Sequence, residues 1–197
     1  MEENTNSNTN IWADPKITET IARGGVVVMP TDTIYGMVCS ALNAEAVLRV
    51  YDIRNRAPEK PCIILIKDFS EVENFGVVLS EAQKKQIEKY SSSEETRPVS
   101  VVLDCPLEKF AYLHRGTQTL AFRSPRQHGL SALLSKTGPL IAPSANIEKF
   151  PQSESIEDAR AYFGDKVDLY IDAGPVVSQP SRVVRLKNDG SVEILRP

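Results

Sequence analysis

Apolar positions along the chain recur in two rhythms. Short blocks rich in β-branched side chains, too brief for free-standing helices, predict buried strands at Val26–Met29, Cys62–Ile66, Pro98–Leu103, Thr119–Pro125, Leu140–Ala142 and Asp168–Asp172. Apolar residues at helical spacing predict helices between them. Ile17 and Ile21 follow an Asp14-Pro15 start and precede Gly24. Ala46, Val47, Val50 and Tyr51 follow an Asn43 cap, and a third helix runs from Ser80 through Ile87. Leu130, Leu133 and Leu134 mark a fourth that stops at Gly138, and Ser155 to Phe163 a fifth that stops at Gly164. Ser181–Leu186 and Ser191–Leu195 read as a hairpin across Asn188-Asp189-Gly190. Ser91–Thr96 reads as a polar loop, and Met37–Ala41, small and apolar, as a tight crossing of backbone near a ligand. Strands and helices mix with no internal repeat. The expected architecture is one α/β (α+β) domain over residues 13–197, built on a twisted, mixed and partly parallel sheet flanked by helices. Residues 1–12 are polar and Asn/Thr-rich and are expected to be a disordered tail.

Composition narrows the function classes. A chain of 197 residues with 41% hydrophobic and 25% charged residues fits one soluble domain with a sizeable core. No apolar run approaches the roughly 20 residues of a membrane span, and the N-terminus lacks the pattern of a signal peptide, so the expectation is cytoplasmic with no membrane partner. A net charge of −3 does not advertise nucleic-acid binding in bulk. Cys39, Cys62 and Cys105 are odd in number and form no CxxC pair, which argues against a zinc site or disulfide framework. Cys62 and Cys105 read as core thiols. His114 and His128 have no metal-ligand spacing, so no metal site is expected.

The candidate chemistry gathers where strands end. Pro30 closes the first strand, and Thr31-Asp32-Thr33-Ile34-Tyr35-Gly36 follows at its carboxyl end, where open α/β sheets place ligands. The stretch reads either as a ligand loop or as a turn that bonds its own backbone. Leu140-Ile141-Ala142-Pro143-Ser144-Ala145-Asn146 repeats the arrangement. Arg54 sits where a cation complements a helix C-terminus, but Arg56 and Lys60 lie in a Pro-bounded loop and suggest an anion site. Arg123 is either a surface residue or a site residue, and Ser100 is either one member of an alternation or a ligand contact. There is no Walker loop and no Gly-x-Gly-x-x-Gly. Bound phosphates would therefore need side-chain cations, from Arg54, Arg56, Lys60, Arg123 and Arg196, with the hydroxyls of Thr31, Ser100, Ser144 and Ser181. No carboxylate pair or nucleophile–base couple is evident, which favours positioning and charge stabilisation over covalent catalysis.

Four ordered stretches resemble the YrdC-like family of L-threonylcarbamoyladenylate synthases: residues 24–36, 53–61, 120–125 and 139–146, with a fifth from Asp172 to the Pro180-Ser-Arg-Val-Val run. Each is weak alone; the ordered set covers nearly the whole chain. The resemblance implies a YrdC-like fold with a positively charged concave face. It implies formation of threonylcarbamoyl-AMP and pyrophosphate from L-threonine, bicarbonate and ATP with Mg²⁺. The product would feed the threonylcarbamoyladenosine modification of tRNA, completed by separate transferase proteins. By resemblance Arg54, Arg56, Ser144 and Asn146 are the catalytic signature. Thr31, Arg123 and Ala142 would hold threonine, and Arg56, Lys60, Ser100, Ser144, Ser181 and Arg196 would face ATP. The chain departs from the family pattern in four places. Arg54 stands for lysine, Glu95-Thr96-Arg97 for Trp-Pro-Gly, Leu65 for a histidine of some members, and Glu148-Lys149-Phe150 for Ser-Gly. It stops at Pro197, short of the extension of longer members. Two other readings stand beside the synthase: a non-catalytic module of the same fold that binds nucleotide, tRNA or double-stranded RNA, and a carbamoyl-transfer relative acting in metalloenzyme maturation.

Overall fold

The computed structural model describes residues 10–91 and 97–197. Most of the expected tail, residues 1–9, and most of the expected polar loop, residues 92–96, lie outside them.

The helices start and stop where local chemistry dictates. In α1 (Pro15–Ala22) the Asp14 carboxylate accepts from the Lys16 N–H at 2.9 Å. In α2 (Ala44–Arg54) Asn43 accepts from Ala46 N–H at 3.0 Å, and Asn55 closes the helix in the left-handed region. Ser80 caps α3 (Glu81–Ser91) by accepting from Gln83 N–H. A Ser155–Asp158 capping box opens α6 (Ile156–Phe163). The remaining helices are α4 (Ala111–His114) and α5 (His128–Thr137).

Among the described residues nine strands form one sheet: β1 (Val27–Pro30), β2 (Tyr35–Ser40), β3 (Ile63–Leu65), β4 (Val99–Asp104), β5 (Thr119–Arg123), β6 (Leu140–Ile141), β7 (Leu169–Tyr170), β8 (Arg182–Leu186) and β9 (Val192–Arg196). Their spatial order is β7-β1-β2-β6-β3-β5-β4-β8-β9. The β1/β7, β3/β5 and β4/β8 pairs are parallel and the others antiparallel, so the sheet is mixed, as expected.

Two expectations are corrected. Met37–Ala41 is not a mere crossing: Tyr35–Ser40 is a full strand, antiparallel to β1, and residues 31–34 form the hairpin turn between them. The strand lacks a legible alternation because both its faces are buried. Tyr35, Met37 and Cys39 join one core cluster and Val38 the other. Ile11 and Trp12, placed in the tail by the sequence, form a 3-10 turn with Ala13 and pack on the core. Trp12 donates its indole N–H to the Pro30 carbonyl at 3.0 Å. Gly129 lets α5 approach that ring, since a Cβ there would stand 2.6 Å from Trp12 Cε3.

The same alternation sets where the site lies. In β1, Val28 faces one cluster while Val27 and Met29 face the other, which α1 and α5 cover with Ile17, Ile21, Leu130, Leu133 and Leu134. In β4, β5 and β8, by contrast, Val101, Leu103, Leu120, Phe122 and Val184 enter the core. Their alternate neighbours Val102, Ala121, Arg123 and Val183 face an open cavity. That half of the sheet is therefore packed on one face and bare on the other. Trp12→Ala is expected to cost about 2 kcal/mol, for lost burial and one lost hydrogen bond, read as a lower urea midpoint.

Candidate active site

The cavity on the bare face has a volume of about 360 Å³. The hairpin turn supplies Thr31, Thr33 and Ile34 to its wall, and the segment after β6 supplies Ala142, Pro143 and Ser144. Backbone pairing brings these two stretches together. Met37 N–H donates to the Pro143 carbonyl and Ala145 N–H to the Tyr35 carbonyl, each at 2.9 Å. Gly36 lets the hairpin fold tightly on itself: a Cβ there would lie 2.9 Å from Thr31 Cγ2.

Three guanidiniums line the cavity, those of Arg56, Arg123 and Arg196, and the lining residues described include no acidic side chain. Arg56 donates through Nε to the Lys60 carbonyl at 3.1 Å and through Nη2 to the Pro61 carbonyl at 2.9 Å. Arg123 donates through Nε and Nη2 to Asp32 Oδ1 at 3.1 and 2.8 Å, and through Nη1 to Ser181 Oγ at 3.3 Å. Both side chains of this ion pair are nearly inaccessible, at 4% and 2%. Arg196 donates to the Ser181 carbonyl and hydroxyl. Arg97, which the sequence reading did not assign to the site, donates to the neighbouring Pro180 carbonyl. Burial, then the charges of Arg123 and Arg97, lower the Arg196 pKa. Pro180 and Ser181 together thus supply acceptors to three cations.

The predicted residues divide into those at the cavity and those behind it. Thr31, Arg56, Arg123, Ala142, Ser144, Ser181 and Arg196 line it together. Ser100, Lys60, Arg54 and Asn146 do not. Ser100 is fully buried behind Ser181, with the two hydroxyls 2.8 Å apart. Lys60 turns away to pair with Glu148.

Arg54 closes α2, as the sequence places it, but its side chain does more than complement the helix end. It is 2% exposed and reaches across to the 144–146 segment. Nε donates to the Asn146 carbonyl at 3.0 Å, and Nη2 to Ser144 Oγ and Asn146 Oδ1, each at 3.2 Å. Its Nη1 is buried without a hydrogen-bond partner. Burial, then the Arg56 charge, brings its pKa down to about 10, so it stays cationic at neutral pH. Asn146 spends its amide on the Ile147 and Phe150 carbonyls, at 3.0 and 2.7 Å. Arg54 and Asn146 therefore hold Ser144 in place and do not themselves face the cavity.

Asp32 and Arg97 are the functional residues that sequence reasoning missed. Asp32 stood inside a stretch already singled out. An acid just past the end of one strand and an arginine closing another were a signal for pairing, but the sheet order that brings the two ends together was not legible. Arg97 carried no signal beyond its place before a predicted strand.

Comparison with known proteins matches residues 19–197 to the Sua5/YciO/YrdC family model, described as telomere recombination. A putative threonylcarbamoyl-AMP synthase of Mycobacterium tuberculosis is 28% identical over 177 residues, covering 90% of this chain and 80% of the relative. The threonylcarbamoyl-AMP synthase of Bacillus subtilis is 28% identical over 190 residues, covering 93% of this chain but 54% of the relative. The crystal structure of P. abyssi Sua5 complexed with L-threonine superposes with a TM-score of 0.80 at 26% identity, over 95% of this chain and 53% of that one. This chain thus spans about half the length of the latter two.

Asp32→Asn is expected to destabilise the protein by about 3 kcal/mol in urea unfolding, because it leaves the Arg123 charge buried and unpaired, and Arg123→Met in the same chain should recover part of the loss. Asn146→Ala is expected to cost about 2 kcal/mol of stability, because it removes the donor to the Phe150 carbonyl, one of two donors to the Ile147 carbonyl and one of two acceptors of Arg54 Nη2. A melting temperature unchanged by Asn146→Ala would contradict its placement behind the cavity.

Proposed function

The chain belongs to the Sua5/YciO/YrdC family, and from that premise we propose that it is an L-threonylcarbamoyladenylate synthase, joining L-threonine, bicarbonate and ATP into threonylcarbamoyl-AMP and pyrophosphate. The observation that carries the reading is the convergence of Arg56, Arg123 and Arg196 on one cavity whose described lining has no carboxylate. Such a cavity suits a polyanion and a second, smaller anion held side by side.

Ser181, with Arg196 and Arg123 about it, offers the stronger positive pole and would take the triphosphate, with Arg56 and Ser144 on the opposite wall. Thr31, Ala142 and Arg123 would position threonine; Asp32 fixes the Arg123 fork so that it meets a carboxylate without reorganising. The threonine nitrogen forms a bond to the bicarbonate carbon with loss of water. A carbamate oxygen then attacks the α-phosphorus, and the bond from that phosphorus to the β-phosphate bridging oxygen breaks. Pyrophosphate leaves carrying the electron pair, and the arginines neutralise the charge that develops. No cluster of three His, Cys, Asp or Glu side chains suited to a metal occurs among the described residues. The donor set therefore fits Mg²⁺ only as an ion carried on the phosphates of ATP, where it would polarise the phosphoryl oxygens.

The proposal extends to the biological setting. The product would be handed to separate transferase proteins that complete threonylcarbamoyladenosine in tRNA, in the cytoplasm. No helix among the described residues is long and apolar enough to cross a membrane.

The deciding measurement is pyrophosphate release by the purified protein with ATP, Mg²⁺ and bicarbonate, with and without L-threonine. Release that depends on threonine is expected. ATP bound without release would make the chain a binding module of this fold. Arg56→Ala is expected to weaken ATP binding roughly tenfold to a hundredfold in calorimetry, the worth of one or two charge-assisted hydrogen bonds, with little change in melting temperature.

A further inference from the structure

Glu148 stands where two of the chain's motifs meet, and the reaction scheme above does not use it. Its backbone N–H donates to the Arg54 carbonyl at 3.0 Å. Its carboxylate accepts from the Ala57 N–H through Oε2 and from the Lys60 ammonium through Oε1. The Glu148 side chain is only 14% exposed, whereas that of Lys60 is 54% exposed. An exposed ion pair alone holds little. This carboxylate is largely withdrawn from water and also satisfies a backbone donor, which makes it a fixed point. The Lys60 and Ala57 hydrogen bonds hold its pKa down to about 2, so it is ionised throughout the neutral range.

Arg56 depends on that fixed point. Its Nε and Nη2 donate to carbonyls of its own loop, at Lys60 and Pro61. The guanidinium therefore goes where the loop goes. From the helix side, the Tyr51 hydroxyl donates to the Lys60 carbonyl at 2.8 Å and Arg115 donates to the Pro58 carbonyl. From the Ser144 side, the loop is held through Glu148.

We propose that Glu148 is a positioning residue of the cavity: it clamps the 57–61 loop to the 144–148 segment and so sets the direction of Arg56, with Lys60 as the clamp's counter-charge instead of a triphosphate ligand. Its kinetic consequence rests on the synthase reading. Glu148→Gln keeps the shape and removes the charge. Lys60→Met keeps the stem and removes the ammonium. Wild type, both single variants and the double variant are compared by ATP KM and kcat in threonine-dependent pyrophosphate release. Amide hydrogen exchange at Ala57 and ATP affinity by calorimetry are measured on the same four proteins.

Glu148→Gln is expected to speed exchange at Ala57 and to raise the ATP KM roughly tenfold, with a smaller change in kcat. Lys60→Met alone is expected to raise it no more than about threefold, and the double variant to be no worse than Glu148→Gln. Equal, multiplying losses from Lys60→Met in both backgrounds would make Lys60 a direct ligand and overturn the proposal. An unchanged ATP KM or unchanged Ala57 exchange in Glu148→Gln would overturn it as well. A wild type that releases no pyrophosphate defeats the synthase reading alone, and the exchange and affinity comparisons then decide the clamp by themselves.

Discussion

A guanidinium buried at the end of α2 constrains the architecture around the cavity. Arg54 is withdrawn from water at 2% exposure, yet its pKa of about 10 keeps it charged. A buried cation of this kind needs acceptors. Its hydrogen-bond acceptors are not carboxylates but the carbonyl and side chain of Asn146 and the hydroxyl of Ser144. Meeting that demand pulls the segment after β6 against the end of α2. The pull fixes Ser144 at the cavity wall and brings Glu148 beneath the Arg56 loop. The order of cause runs from a charge that must be solvated to the shape of a binding surface.

Arg123 solves the same problem differently. It closes β5 on the bare face of the sheet, where a cation can meet substrate, and is balanced by Asp32 from the hairpin turn. The two buried arginines thus have opposite uses. Arg54 is compensated by dipoles and positions a loop. Arg123 is compensated by a full charge and remains at the wall. Both arrangements join segments some 90 residues apart in sequence, at |i−j| of 92 and 91.

Much of this was legible beforehand, and what was not has a physical reason. Helix ends were readable because Asp14, Asn43, Ser80 and Ser155 announce caps by local hydrogen bonding. Strand β2 was missed because a strand buried on both faces shows no alternation. Trp12 was missed because one aromatic in a polar stretch gives no periodicity. The cavity residues Thr31, Arg56, Arg123, Ala142, Ser144, Ser181 and Arg196 followed from ordered motifs. The removal of Lys60, Ser100, Arg54 and Asn146 to supporting places did not. That distinction lies in which way a side chain turns, and for Lys60 the partner is Glu148, 88 residues away in sequence. Arg97 and Asp32 entered through pairings that only the folded sheet creates.

The bare face of β4, β5, β8 and β9 has a thermodynamic meaning. Val102, Ala121, Val183 and Leu195 floor the cavity where another part of the sheet has helices over it. On the proposed reading, a nucleotide seated there would take the place of the missing layer. A ligand that binds the folded chain and not the unfolded one adds RT ln(1 + [L]/Kd) to stability, about 2.7 kcal/mol at a hundredfold excess over Kd. The resistance of this protein to heat and proteolysis would then depend on the cell's nucleotide pool, so that a starved cell holds a softer protein than a fed one.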